Sequence, residues 1–209
     1  LFVPQKESKK TTNNWLLIIF AFIVVGLVIV VLIYSTSESN SNNSSSEVTN
    51  TNTTSNEWQP FTSVEHKVSA LFPNYPSTSR EPTTELENGY NYSSTQYSSS
   101  DKDGVDYILT IGDYNIEPNN FDNKTGLEGT INYMNQPGEI SISNAEFIKQ
   151  NGFDAVTFSF NGIKESYSGR GLAIIRDDLN YIKNYIILIG SKTGYTPNYQ
   201  KFINSLEFK

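Results

Sequence analysis

The sequence predicts an α+β domain, an antiparallel β-sheet with helices packed on it, preceded by one transmembrane helix. Three observations carry this reading. Residues 15–34 form an unbroken apolar run. Residues 35–57 are almost wholly Ser, Asn and Thr. Residues 58–209 alternate apolar and polar positions in runs of strand type, interrupted by two stretches with helical spacing. The expected organisation is a short cytoplasmic segment 1–14, a transmembrane helix 15–34, a disordered linker 35–57 and an extracytoplasmic domain 58–209.

The first apolar run reads WLLIIFAFIVVGLVIVVLIY and holds no charge and no proline. At the helical rise, a run of this length spans about 30 Å, the hydrocarbon thickness of a bilayer. Trp15 and Tyr34 stand at its two ends, where amphipathic rings favour the interface. A buried core helix is not apolar on every side over such a length. Lys6, Lys9 and Lys10 precede the run, against Glu7. After it come Glu38, Glu47 and Glu57, with no Lys or Arg before Lys67. The positive-inside rule therefore sets the N-terminus in the cytoplasm and the rest outside, in a single-pass cell-membrane protein. No A-x-A cleavage site follows the run, and no Cys is present for a lipid anchor, so a retained signal anchor is expected. The chain opens on Leu1 rather than Met, which leaves open a longer N-terminal portion or an unusual start codon.

Residues 35–57 contain Val48 as their only aliphatic side chain. Such a segment buries too little apolar surface to offset its ordering entropy. A flexible chain of this length reaches about 25–30 Å on average. It would act as a leash that concentrates the domain near partners in the same membrane. N-x-S/T sequons fall at Asn42, Asn43, Asn52, Asn91 and Asn123. An Asn-rich composition generates these by chance, and no glycosylation is assigned to them.

Within residues 58–209 the elements follow in order. In "SVEHKVSALFP", Val64, His66, Val68, Ala70 and Phe72 share one parity, which predicts a strand ended by Pro73. "PNYPSTSREPTTEL" reads as a loop. Tyr90, Tyr92 and Tyr97, then "DKDG", then Val105, Tyr107, Leu109 and Ile111 predict a hairpin. From Pro118 to Met134, Leu127, Ile131 and Met134 take helical spacing, weakened by Gly126 and Gly129. Strands follow at Ile140 and Ile142, at Val156, Phe158 and Phe160, and at "GLAIIR". The run "YIKNYIILIG" is apolar on both parities, as a central strand covered on both faces must be. Tyr199, Phe202, Ile203 and Leu206 predict a C-terminal helix, followed by a short strand.

The segments "ALFP", "NGFDAVTFSF", "SYSGRGLAIIRDDLNYI" and "IILIGSKTGYTPNYQKFINSLEFK" together make residues 58–209 similar to PsbP-like domains, the fold shared by a photosystem extrinsic protein and a eukaryotic Ran-binding protein. The resemblance implies an α/β/α sandwich with a non-enzymatic binding or assembly role. It transfers no functional residue.

Composition narrows the chemistry. The 209-residue chain carries a net charge of -7, one His and no Cys. The negative charge argues against a nucleic-acid partner, which needs a basic face. The absence of Cys excludes disulfides and thiolate metal sites. His66 is the sole imidazole, and no G-x-S-x-G elbow accompanies it, so a packed histidine is favoured over a catalytic base. Asp101, Asp103 and Asp106 in "DKDGVD" have the alternate spacing of calcium ligands, but no Glu closes the loop, and an Asp-Gly turn is favoured. Asp177 and Asp178 are adjacent and would point to opposite faces of a strand, which favours a turn over a carboxylate pair. Arg170, between two glycines in "SGRGLA", reads as a bulge or close strand approach rather than an anion nest. No catalytic residue, cofactor or metal is assigned.

The functional expectation is a membrane-anchored, extracytoplasmic binding or scaffold domain. It is not an enzyme, and its partners are the bilayer through residues 15–34 and an envelope or membrane protein. The alternative is a domain that binds a small ligand or an envelope polymer, with the thirteen Tyr as a source of aromatic contact surface. A carboxylate-based hydrolase stands last.

Overall fold

Alternation along a strand puts every second side chain on the same face, so two apolar parities in one strand require two covering layers. Strand β9, Tyr181–Ser191, is buried at every position but its first. The computed structural model describes residues 58–85, 90–116, 121–135, 140–162, 166–178 and 181–209. The expected segments 1–14, 15–34 and 35–57, with Lys6, Lys9, Lys10, Trp15 and Tyr34, lie outside the described residues. Among the described residues no helix is long and apolar enough to cross a membrane.

β9 is the fourth strand of a seven-stranded antiparallel sheet. Its neighbours are β5, Asp106–Tyr114, and β8, Ser168–Asp178. Beyond β5 lie β4, Asn91–Ser100, and the edge strand β3, Ser77–Glu85. Beyond β8 lie β7, Phe153–Gly162, and the edge strand β6, Ile140–Gln150. One face carries Ile108, Val156, Phe158, Phe160, Ala173, Ile175, Ile186 and Leu188. It is covered by helix α1, Asn123–Met134, through Leu127 and Met134. Asp122 caps this helix by accepting from the Thr125 N–H at 2.7 Å. The other face carries Tyr107, Leu109, Ile111, Leu172, Ile174, Tyr185, Ile187 and Ile189. A second sheet covers it: β1, Gln59–Ser63; β2, Val68–Phe72; and β10, Glu207–Phe208. The six-residue helix α2, Tyr199–Asn204, packs beside it.

This corrects the expected fold class. The domain is mostly antiparallel β, with 61% strand against 13% helix over the described residues, and is neither an α+β helix-packed sheet nor an α/β/α sandwich. One face is closed mainly by strands where a helical layer was expected. Two local misreadings account for the difference. The segment 64–72 is not one strand. A turn at residues 64–67 joins β1 to β2, and Lys67 takes φ 52. Val64 is consequently 86% exposed instead of sharing a face with Val68. The "PNYPSTSREPTTEL" loop contains β3, an edge strand almost wholly exposed and interrupted by a bulge between Glu81 and Thr84. Pro82 sits in that bulge, where no ladder donor is needed.

Other elements form as the pattern indicates. β4 and β5 pair from Tyr92↔Tyr114 to Ser100↔Asp106 around the Asp101–Gly104 turn, with Gly104 at φ 73. α1 buries Leu127 and Met134, with Ile131 half-buried; Pro118 lies outside the described residues. The terminal helix forms but is short.

Strand approach is tightest at "SGRG". A Cβ on Gly169 would stand 2.0 Å from the Ile189 carbonyl oxygen. Gly169→Ala is expected to cost about 2–3 kcal/mol, because backbone must yield. Gly104→Ala meets nothing within 4 Å and carries only the left-handed backbone penalty, about 1–2 kcal/mol. Urea unfolding of both variants beside the parent checks the order; equal costs would contradict the close approach at Gly169.

Candidate functional site

The turn between β1 and β2 folds one residue inward. His66 is 2% exposed although its neighbours Glu65 and Lys67 are exposed. Its backbone is held from two strands. Its N–H donates to Ser63 Oγ at 3.3 Å, and its carbonyl accepts from the Tyr185 hydroxyl of β9 at 3.1 Å. Ser63 Oγ in turn shares a 3.0 Å bond with the Tyr97 hydroxyl of β4. The next residue's carbonyl, Lys67 O, accepts from Lys209 N at 2.8 Å. Outside, Arg80 of β3 forks onto the Glu65 carboxylate at 2.5 and 3.3 Å. That pair is exposed and adds position more than stability.

Below the turn, Asp113 of β5 and Lys183 of β9 are cross-strand partners. Both point to the face covered by the second sheet, the parity of Ile111 and Tyr185. Lys183 Nζ donates to Asp113 Oδ1, and His66 Nδ1 lies 3.1 Å from Asp113 Oδ2. The His66 contact is at ion-pair distance without hydrogen-bond alignment. The Lys183 side chain is 7% exposed and that of Asp113 25%. Partial burial pushes the Asp113 carboxyl upward, but the neighbouring His66 and the Lys183 ammonium outweigh it and hold the group below its ordinary value. His66 Nε2 is buried and has no hydrogen-bond partner among the described residues.

These groups line a cleft of about 470 Å³ at the end of β4, β5 and β9. Its mouth is bordered by Asn91, Asn115, Thr83 and Tyr181, a residue 44% exposed. On the other face of this strand end, the rings of Tyr92 and Tyr114 pack with a 38° tilt at 4.9 Å between centroids. Burial pushes both hydroxyls well above their ordinary range.

The constellation sets a buried imidazole, neither of whose ring nitrogens has a hydrogen-bond partner among the described residues, beside a carboxylate. It does not assemble a nucleophile. Nε2 touches no hydroxyl, and Ser63 is engaged with the His66 backbone and Tyr97. No group of three or more His, Asp or Glu stands in metal-binding reach among the described residues.

The remaining sequence candidates fall elsewhere. Asp101 accepts from Asp103 N, Val105 N and the Tyr107 hydroxyl at 2.9, 3.0 and 3.1 Å, the work of a turn residue. Asp106 is turned away to Ser100 and Tyr167, so the three aspartates do not converge. Asp177 is exposed and accepts from Asn123 Nδ2 at 3.4 Å; the Asp178 side chain lies outside the description. Arg170 stacks over the Tyr199 ring at 4.2 Å, between two close-approach glycines. His66 was expected mid-strand and instead caps a turn. Asp113 and Lys183 were not singled out. The available signal was a Lys-Asn pair inside the apolar run "YIKNYIILIG".

No family model and no curated protein matches the chain. Among solved structures it is similar to that of LpqN, a protein involved in cell envelope biogenesis of Mycobacterium tuberculosis. The likeness has 7% identity and a TM-score of 0.38, covering 63% of this chain and 86% of LpqN. A superposition at that score carries no argument about function, and no family match supports the PsbP-like resemblance.

Asp113 carries the site's pH dependence. Its folded carboxyl titrates below the unfolded value of about 3.9, so its contribution is full above that value and is lost as pH falls through the folded one. Asp113→Asn leaves Lys183 buried and unpaired, which is expected to cost about 3 kcal/mol at neutral pH. Urea midpoints followed from neutral pH into acid should fall less steeply in the variant than in the parent.

Proposed function

We propose that this chain is a membrane-tethered domain that works outside the cytoplasmic membrane by recognition rather than turnover. The observation that carries this is the junction in the sequence. A charge-free apolar run, 15–34, is preceded by Lys6, Lys9 and Lys10 and followed by the polar stretch 35–57 and then the β domain. In this reading residues 15–34 anchor the chain in the bilayer, 35–57 give it reach, and residues 58–209 meet a protein partner of the same envelope. A second reading, a domain for a small ligand or an envelope polymer, is favoured by one observation: the cleft beside His66, whose walls are fixed by β4, β5 and β9.

The chain has no Cys, so single substitutions report topology without background. Ser44→Cys is expected to react with a membrane-impermeant maleimide in intact cells, and Ser8→Cys only after lysis. The reverse pattern would overturn the orientation.

Crosslinked capture with the full chain is expected to recover a stoichiometric envelope protein that a chain lacking 58–209 does not. Removing residues 37–54 should abolish most of that recovery, since the leash sets effective concentration. Undiminished recovery would refute the role of reach.

A further inference from the structure

An asparagine followed by glycine can react with its own backbone. The glycine nitrogen, with no side chain to shield it, attacks the asparagine Cγ. The sequence holds three such pairs, at residues 88–89, 151–152 and 161–162. The first lies outside the described residues. In the third, at the end of β7, Gly162 N donates to Tyr167 O at 2.6 Å, so its nitrogen is engaged.

The second pair is placed differently. Asn151 and Gly152 are the two residues of the turn between β6 and β7, closed by Gln150↔Phe153. They take φ 52 and 86, the positive pair of a type I′ hairpin turn. Both are exposed, and the space beside Gly152 is open: a Cβ there would meet nothing within 4 Å. Among the described turn bonds, none uses the Gly152 N–H.

The side chain is what restrains this pair. Asn151 Nδ2, the leaving group of the reaction, donates to Leu206 O at 2.9 Å. Leu206 belongs to the C-terminal cover, between α2 and β10, and is 3% exposed. Beside it the Phe208 ring meets those of Phe153 and Tyr185 at 5.6 and 4.8 Å. Swinging Cγ onto Gly152 N therefore requires the side chain to let go of Leu206.

We propose that Asn151 is a self-modification site gated by the C-terminal cover, and that its conversion loosens that cover. Gly152 N bonds to Asn151 Cγ, the Cγ–Nδ2 bond breaks, and ammonia leaves with the displaced backbone proton. The cyclic imide adds one water and opens to aspartate or isoaspartate. The amide that donated to Leu206 O is thereby replaced by a carboxylate, which only accepts. Two acceptors then face each other where a hydrogen bond stood. Isoaspartate also routes the backbone of a two-residue turn through one extra carbon. This device is independent of the recognition reading above.

The full chain in detergent is incubated in mildly alkaline buffer, and its peptides are mapped by mass spectrometry, which separates amide from acid. Asn151 is expected to convert faster than Asn161. Phe208→Ala removes one aromatic contact from the cover. It should speed conversion at Asn151 about fivefold or more and leave Asn161 unchanged, because reactivity follows the population of the locally opened form. Phe208→Leu, the milder change, should fall between Phe208→Ala and the parent. Asn151→Asp, which carries the product's side chain, should lower amide-exchange protection at residues 206–209 and leave that of β9 intact. The proposal is overturned by no conversion at Asn151, by equal rates at Asn151 and Asn161, or by unchanged protection in Asn151→Asp. The gate is overturned if both Phe208 variants convert Asn151 at the parent's rate, or speed Asn161 to the same degree.

Discussion

The structure depends on a strand that must be covered twice. β9 sends Ile186 and Leu188 to one face and Tyr185, Ile187 and Ile189 to the other, all nearly inaccessible to water. Each such side chain contributes about 1.5–3 kcal/mol when fully buried, so neither face can be left open. One cover is α1, laid across β6, β7 and β8. The other is assembled from both ends of the domain: the β1–β2 hairpin from its start, α2 and β10 from its end. β10 pairs with β2 through Glu207↔Ser69 and Phe208↔Val68. The first and last strands thus close over the sheet together, and neither can cover it alone.

The same strand changes character at one end. Lys183 and Asn184 interrupt its apolar run, and because neighbours point to opposite faces they carry polarity to both. Asn184 meets Thr130 of α1 at 3.1 Å. Lys183 meets Asp113, and through it His66. Buried ion pairs are poor sources of net stability, because desolvation offsets most of the attraction. Apolar residues here would pack as well as those further along the strand. The buried Lys–Asp pair beside the cleft therefore fixes the position of charge there more than it adds net stability.

Legibility followed the same division. The β4–β5 hairpin, the central position of β9 and the terminal helix were readable because each carries its own period. Apart from Pro82, β3 has no apolar residue between Ser77 and Glu85, so an edge strand made by backbone pairing alone left no pattern. The β1–β2 turn was hidden because Lys67 takes a positive φ that Gly or Asn would have advertised. With the turn missed, the second sheet was missed, and the fold class went with it. The site was illegible for a further reason. Its three residues come from a turn and from two strands far apart in the chain, and only pairing register brings Asp113 opposite Lys183.

Register also fixes which way the cleft faces. Trp58 stands where the chain enters β1, packed against Tyr107 and Phe202 at 5.1 and 6.4 Å, with Lys201 over its ring at 4.3 Å. β1 then runs away from that point for five residues, about 17 Å. Only at its far end does the turn deliver His66 to Asp113. The point where residues 35–57 join the domain and the mouth of the cleft are therefore at opposite ends of the same strand. That separation follows from the direction of one short strand.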